Sequence, residues 1–371
     1  MKNNVLKIVM ILSITTLLLT SMLCQTAFAV TSPAFSNWYW TNDTNATAVV
    51  VGDVDNDGAN DVVIAGYYND GNGWKSQLHV LNSSTYAIKS VGYWTYGLDS
   101  QIMTIAVGDV NGDGLNEVVT GGAFFNGTQW NSLVTVQRCT SASASMTTLN
   151  SGNWTQGVGS QVSSVAVGDV NGDGSVEIVV GGSFNDGTRS NSLLHILRCA
   201  VDFATLSVLD STSWYWTGNT YVNSITVANI TGSVGLSIIA GGSFNDGSRY
   251  NSVVHVLSWT TVSGFVVQQT GYWFWISDTK VTSVTVGNFT GQSTYDIITG
   301  GSYYDGSRYV AQFMILNSIT LAQRVVTNWF STSSTQINSA IIGSTPVGTR
   351  VFAGGSFFDN NRSVAQLTVW A

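Results

Sequence analysis

The constraint that outweighs every other in this chain is internal repetition. The stretch VGDVNGDGLNEVVTGG, residues 107–122, is written again as VGDVDNDGANDVVIAG from Val51 and as VGDVNGDGSVEIVVGG from Val167. Weaker copies start at Val227 (VANITGSVGLSIIAGG) and Val286 (VGNFTGQSTYDIITGG), and a remnant, VFAGG, ends at Gly355. The marker residues Asp53, Asp109, Asp169, Asn229 and Asn288 stand 56, 60, 60 and 59 residues apart. A fixed period of this size means one supersecondary unit used many times, so the fold must be read from the unit.

Each period reads as four strands. An aromatic segment comes first: NWYWT at 37–41, GYWT at 92–95, GNWT at 152–155, WYWT at 214–217, YWFW at 272–275 and NWF at 328–330. Trp and Tyr among small neighbours favour a strand. A polar loop leads to an alternating run such as SSVAVGDV (163–170), then an Asp-rich turn. The next run, VEIVVGGSF (176–184), is apolar on both faces and suits a strand buried on both sides. An Asn-Asp-Gly or Asn-Gly hairpin signal follows, which predicts positive φ at both central residues. The period closes on runs such as LLHILR or VVHVLS. No convincing helix follows the N-terminal segment.

Four-stranded sheets repeated radially are the blades of a propeller, which manages its exposed edges by closing on itself. Six copies predict an all-β, six-bladed β-propeller of four-stranded antiparallel blades over residues 30–371, with repeats centred on about 52, 108, 168, 228, 287 and 343. The last repeat stops at its third strand, and the chain starts with an orphan aromatic strand, Trp38 to Thr41. That strand is expected to pair with the last blade and close the ring; an open solenoid is the alternative.

Residues 1–29 have the form of a secretory signal: Lys2 and Lys7, an apolar run from Ile8 to Leu19, and Ala27-Phe28-Ala29 as a cleavage site. An uncleaved membrane anchor is the other reading, because Val5 to Leu23 is nearly long enough to span. After cleavage no membrane span is expected. Only 9% of residues are charged and 44% are hydrophobic, with 39 Gly and 2 Pro, which suits an extracellular or cell-surface β protein and argues against disorder. The net charge of −8 speaks against nucleic acid as a partner. Eight N-x-S/T sequons, at Asn42, Asn45, Asn82, Asn126, Asn153, Asn229, Asn288 and Asn361, allow glycosylation. Cys139 and Cys199 occupy equivalent positions of neighbouring repeats, too far apart for bridge geometry, and are expected to be unbridged.

The Asp-rich turns carry the clearest chemistry. Asp53, Asp55, Asp57 and Asp61 fill positions 1, 3, 5 and 9 of the first turn; the second offers Asp109, Asn111, Asp113 and Glu117, the third Asp169, Asn171, Asp173 and Glu177. Alternating carboxylates converge only if the loop turns sharply, the task of Gly58, Gly114 and Gly174. Such a set makes a hard-oxygen site of the kind Ca²⁺ prefers, and predicts about three calcium sites.

This spacing, D-x-[DN]-x-D-G-x-x-[DE] between a blade's first two strands and followed by AG or GG, resembles the FG-GAP or VCBS repeats of integrin α-subunit propellers and related microbial surface proteins. The resemblance spans residues 36–371 and implies calcium at the three sets of residues just named. The fourth and fifth turns depart from it: Asn229, Thr231 and Ser233 bring no carboxylate, and Asn288, Thr290 and Gln292 leave only Asp296. The family's Gly-Ala-Pro element is altered to AGG or TGG. Integrin propellers have seven blades, so six rests on counting.

Other candidates read as architecture. His79, His195 and His255 recur 26 residues after their markers and are packing positions. Trp40, Trp94, Trp154, Trp216 and Trp275 lie 13 or 15 residues before their markers, in the same strand of each repeat, and are expected to pack blade against blade. Arg189, Arg249 and Arg308, with Trp74 and Trp130 nearby, lie in the hairpins opposite the acidic turns. They either pair locally with Asp186, Asp246 and Asp305 or form a ligand face for sugars or acidic groups. No singular polar residue marks an active site. The expected function is therefore a non-catalytic, calcium-binding adhesion or binding module taking an extracellular glycan or protein ligand. A structural cell-envelope component and a calcium-propeller polysaccharide-processing enzyme are the alternatives; the oligomeric state is not indicated.

Overall fold

The computed structural model describes residues 43–139, 146–230, 235–291, 294–330, 333–345, 348–359 and 362–370. Every regular element among them is a strand, and the 23 strands form six antiparallel sheets. The first sheet has inner strand Thr44–Gly52, second strand Asp61–Asn69, third strand Trp74–Asn82 and outer strand Ile88–Trp94. Sheets over 99–154, 159–214, 220–273 and 279–329 repeat this order, and the sixth, over 335–370, has three strands. The protein is a six-bladed propeller. The inner strands of all six blades line one central cavity of about 960 Å³. The expected leader and the closing strand Trp38 to Thr41 lie outside the described residues.

The core lies between blades. Five apolar clusters join consecutive blades; one brings Val136 and Leu197 of blades two and three together with Val162, Val165 and Ile178. Second and third strands are buried along most of their length, while outer strands alternate with solvent. The paired glycines of repeats two to five have separate causes. A Cβ on Gly181 would meet Ile225 Cδ1 of the next blade at 2.1 Å, and one on Gly182 would meet the Gln161 carbonyl of its own blade at 2.0 Å. The first glycine admits the neighbour's side chains. The second admits a β-bulge, present in all six inner strands. The bulged residue reaches forward: Thr47 donates to Ile102 O (2.7 Å), Asn223 to Val281 O (2.7 Å) and Thr282 to Ile337 O (2.6 Å).

The hairpins differ from expectation. Gly187, Gly247 and Gly306 have φ near +100°, but the Asp before each does not have positive φ. These are four-residue loops closed by bonds such as Asp186 N to Arg189 O (3.0 Å), widened because Asp186 Oδ1 accepts the amides of Thr188 and Arg189. The aromatic register also shifts. Trp94, Trp154, Trp214, Trp273 and Trp329 pair with Ser76, Ser132, Ser192, Ser252 and Ala311. Trp216 and Trp275, expected in this strand, instead lie two residues past its ends at Trp214 and Trp273. Two Trp at i and i+2 share one face of a strand, so alternation alone does not choose between them.

Candidate functional site: the acidic turns and the arginine face

Antiparallel blades place the inner-to-second turns and the third-to-outer turns on one face of the ring, and the second-to-third hairpins on the other. On the first face the acidic turns fold as their spacing predicts. Gly58, Gly114 and Gly174 sit at φ of +88°, +88° and +87°, with open space around each, so left-handed backbone alone accounts for them. The position-1 carboxylate folds back on the turn: Asp53 accepts the amides of Asp57 (3.1 Å) and Gly58 (2.9 Å). Asp109 and Asp169 repeat this with Gly112, Asp113 and Gly114, and with Gly172, Asp173 and Gly174. The position-5 carboxylates of Asp57, Asp113 and Asp173 cap Ala59, Leu115 and Ser175. At position 9 Asp61, Glu117 and Glu177 open the second strand fully buried, and accept the amides of Val54, Val110 and Val170. In the first turn, ligand atoms of Asp53, Asp55 and Asp61 lie within 4.8 Å of one another.

Each acidic turn also holds a cation of the chain, which spacing within the turn did not reveal. Lys89 Nζ lies 2.6 Å from Asp55, 3.0 Å from Asp57 and 2.9 Å from Asp61. Arg138 binds Glu117, and Asp113 at 2.7 Å; Arg198 binds Glu177, and Asp173 at 2.8 Å. In the fifth blade Arg324 binds Asp296, which also accepts the amides of Phe289 and Thr290. Burial works against the Lys89 ammonium, but Asp55, Asp61 and Asp57 outweigh it and Lys89 titrates above its ordinary value. Burial pushes Glu117 and Glu177 up in spite of their arginines, whereas Arg198 and the Ser175 amide hold Asp173 well below the usual carboxylate range.

The residues of the first turn fit a divalent cation. Asp55 is buried, and its Oδ1 has no hydrogen-bond partner although the acids around it converge. An isolated carboxylate oxygen in that state calls for a positive partner. The second and third turns are more self-contained: Asn111 Nδ2 donates to Val201 O (2.8 Å) and Asn171 Nδ2 to Asp173 (3.0 Å). Of the fourth and fifth turns, Thr231, Ser233 and Gln292 lie outside the described residues; Asp296 is committed to Arg324.

On the opposite face the hairpin arginines turn toward aromatic rings. Arg189 lies over Tyr215 (4.5 Å), Arg249 over Phe274 (4.4 Å) and Arg308 over Phe330 (4.4 Å). All three rings are about half exposed. Of the expected local pairs, the described ion pairs include Arg308–Asp305 at 3.7 Å. Asp186 and Asp246 are instead taken up by their turn amides and by Asn191 and Asn251. Trp74 and Trp130 stay within their own blades, against Tyr67 (5.1 Å) and Phe125 (5.8 Å).

The histidines are packed in the blades. Burial lowers His79, His195 and His255 to about 4. His195 and His255 stand edge-on to Trp154 and Trp214, and bond Ser211 and Thr270 through Nδ1. Cys139 and Cys199 are buried, and neither is in a disulfide.

An FG-GAP-like repeat model matches residues 53–120, and an FG-GAP repeat model matches residues 162–197. A search of curated protein sequences returns no significant match. Among solved structures the chain is similar to the Dos1 propeller, at 13% identity and a TM-score of 0.47, covering 83% of this chain and 64% of that one. It is also similar to Chaetomium thermophilum Sqt1, at 14% identity and a TM-score of 0.47, covering 89% and 70%. The same protein bound to the N-terminus of ribosomal protein L10 matches at 12% identity, a TM-score of 0.47, and coverage of 80% and 79%.

Proposed function

Because the chain belongs to the FG-GAP β-propeller family, we propose that it is a secreted or cell-surface, non-catalytic binding module whose hairpin face takes an acidic extracellular glycan. The observation that carries this reading is the triplet of arginines stacked on exposed aromatic rings in three adjacent blades. A guanidinium over a ring still has donors to turn toward carboxylate or sulfate beyond the long contacts of Arg189 and Arg249 to the Thr217 (3.4 Å) and Ile276 (3.5 Å) carbonyls, and the ring edge suits a sugar face. The N-terminal segment and the family's usual setting support an extracellular location. The histidines and hairpin arginines recur at equivalent places round the ring, and the carboxylates that converge do so in repeated turns that each hold a cation of the chain, which supports binding over catalysis.

The reading includes calcium on the opposite face. Asp53, Asp55, Asp57 and Asp61 would hold it in the first turn, with Asp109, Asn111, Asp113 and Glu117, and Asp169, Asn171, Asp173 and Glu177, as the second and third sets. A bound ion neutralises the carboxylates and ties the turn; at 100 times its dissociation constant each adds about 2.7 kcal/mol.

Binding of residues 30–371 to a glycan array, with and without Arg249→Ala, tests the function. Saturable binding to acidic glycans that weakens in the variant is expected. Binding unaffected by Arg249→Ala moves the ligand off this face, and failure of the folded protein to bind any glycan leaves a protein partner or a structural role in the cell envelope.

A further inference from the structure

We propose that the chain carries its own counter-cation for every acidic turn, and that calcium, on the reading above, enters a turn only by displacing it. The argument rests on how the five complete blades vary together. A buried acid opens the second strand in blades one, two, three and five (Asp61, Glu117, Glu177, Asp296), and each is met by one in-chain cation. That cation comes from one of two neighbouring places. One is the end of the third strand, which holds Arg138 and Arg198 in blades two and three. The other is the bulge of the outer strand, which holds Lys89 and Arg324 in blades one and five.

Where one place is charged, the other is not. Asn82 and Asn317 accompany Lys89 and Arg324; Leu149 and Leu209 accompany Arg138 and Arg198. Blade four serves as the internal control. Ser237 replaces the acid, and the two places hold Ser258 and Gln268, which bond each other at 2.8 Å. In blade six Arg350 stands in the acid's register position, opposite Gly343. Among the five complete blades acid and cation are thus present together or absent together, from either of two strands. Packing of a long side chain does not produce that pattern. Compensation of a buried charge does.

Displacement follows from the first turn's geometry. The Lys89 ammonium is within 3.0 Å of three of the four carboxylates proposed to hold the ion, so ammonium and metal compete for the same oxygens. The turns also differ in what remains after compensation. The first keeps four carboxylates against one ammonium, the second and third keep three acids against one guanidinium, and the fifth is balanced. Calcium affinity is therefore ordered first turn, then second and third, with none at the fifth.

The test is calcium titration of metal-free residues 30–371, read by calorimetry and by terbium luminescence, in wild type, Lys89→Gln and Lys89→Arg. Circular dichroism in EDTA and in calcium reports folding of each. Lys89→Gln is expected to bind calcium at least about tenfold more tightly at one site, since a competing charge is removed. Lys89→Arg is expected to bind no more tightly than wild type, and adding Asp55→Asn to Lys89→Gln to abolish the gain. Should Lys89→Gln unfold without metal and refold with calcium, the exchange is supported all the more directly. Equal or weaker binding by Lys89→Gln overturns the displacement and leaves calcium standing. If neither wild type nor Lys89→Gln binds calcium in the millimolar range, the calcium reading falls and this inference with it.

Discussion

Removing the guanidinium of Arg138 without its stem is the sharpest test of how the acidic turns are held. Glu117 is 0% exposed, with one carboxylate oxygen on the Val110 amide (3.2 Å) and the other on Arg138. Arg138 also binds Asp113 at 2.7 Å and lies over the Phe203 ring at 5.0 Å. Arg138→Met keeps the packing of the stem on Phe203 and leaves Glu117 a buried charge without its partner. Breaking such a pair costs roughly 3–5 kcal/mol. The low end, about 3 kcal/mol, applies because the Arg138 side chain keeps 18% of its surface in water. At about 2 °C per kcal/mol for a domain of this size, the melting temperature should fall by about 6 °C. Adding Glu117→Gln removes the stranded charge and should recover most of the loss, since replacing both partners of a buried pair is often close to neutral. The assay is thermal unfolding at pH 7 in EDTA, followed by circular dichroism and calorimetry on the single and double variants. A single variant within 1 °C of wild type, or a double variant melting below the single, would refute the reasoning.

Three further outcomes follow from the packing. His79, His195 and His255 have folded values near 4, below the ordinary 6.5, so the unfolded chain takes up protons first; their contribution is complete above about pH 6.5 and is lost as pH falls toward 4. Melting temperature against pH should therefore decline across that window, and His195→Gln should flatten the decline; equal slopes would contradict this. Gly182→Ala places a Cβ 2.0 Å from the Gln161 carbonyl and should cost more than about 3 kcal/mol, whereas Gly187→Ala, with open space and a φ of +99°, should cost about 1 kcal/mol, as urea titration would show. Burial raises the Cys199 thiol to about 11 and also raises Cys139, so Ellman's reagent should leave both untouched in the native protein and modify both in urea.

The period, the four strands and the acidic turns were legible in the sequence because each is a local pattern: alternation, a run of apolar residues, carboxylates at every second position. Gly58, Gly114 and Gly174 belong to the same class, since a sharp turn needs them wherever the chain goes next. The cations were hidden for a physical reason. Arg138 lies 29 residues after its marker and Lys89 36 residues after its own, on different strands, and antiparallel pairing brings them to equivalent carboxylates. Residue spacing has no access to a place defined by two strands at once. The hairpin arginines show the opposite case. Asp186 and Arg189 are three apart and invite a local pair, but the Asp oxygens are already engaged by turn amides and Asn191, and the guanidinium goes to a ring on the next loop. What each side chain has left to offer was decided by the backbone.

The forward reach of the bulges bears on how the molecule is made. Thr47, Asn223 and Thr282 each bond the blade that follows, and the space beside Gly121, Gly181, Gly241 and Gly300 is filled by Val or Ile of that later blade. During synthesis each unit stays unsealed until some 60 further residues have emerged. Its exposed side is then roofed by a successor that exposes an identical one. Besides the face of the first blade that waits for the last, the nascent protein thus carries one raw edge that travels toward the C-terminus, and a chain stopped at any blade presents that same advancing edge. Quality control would need to recognise only that one advancing surface, whatever the point of interruption.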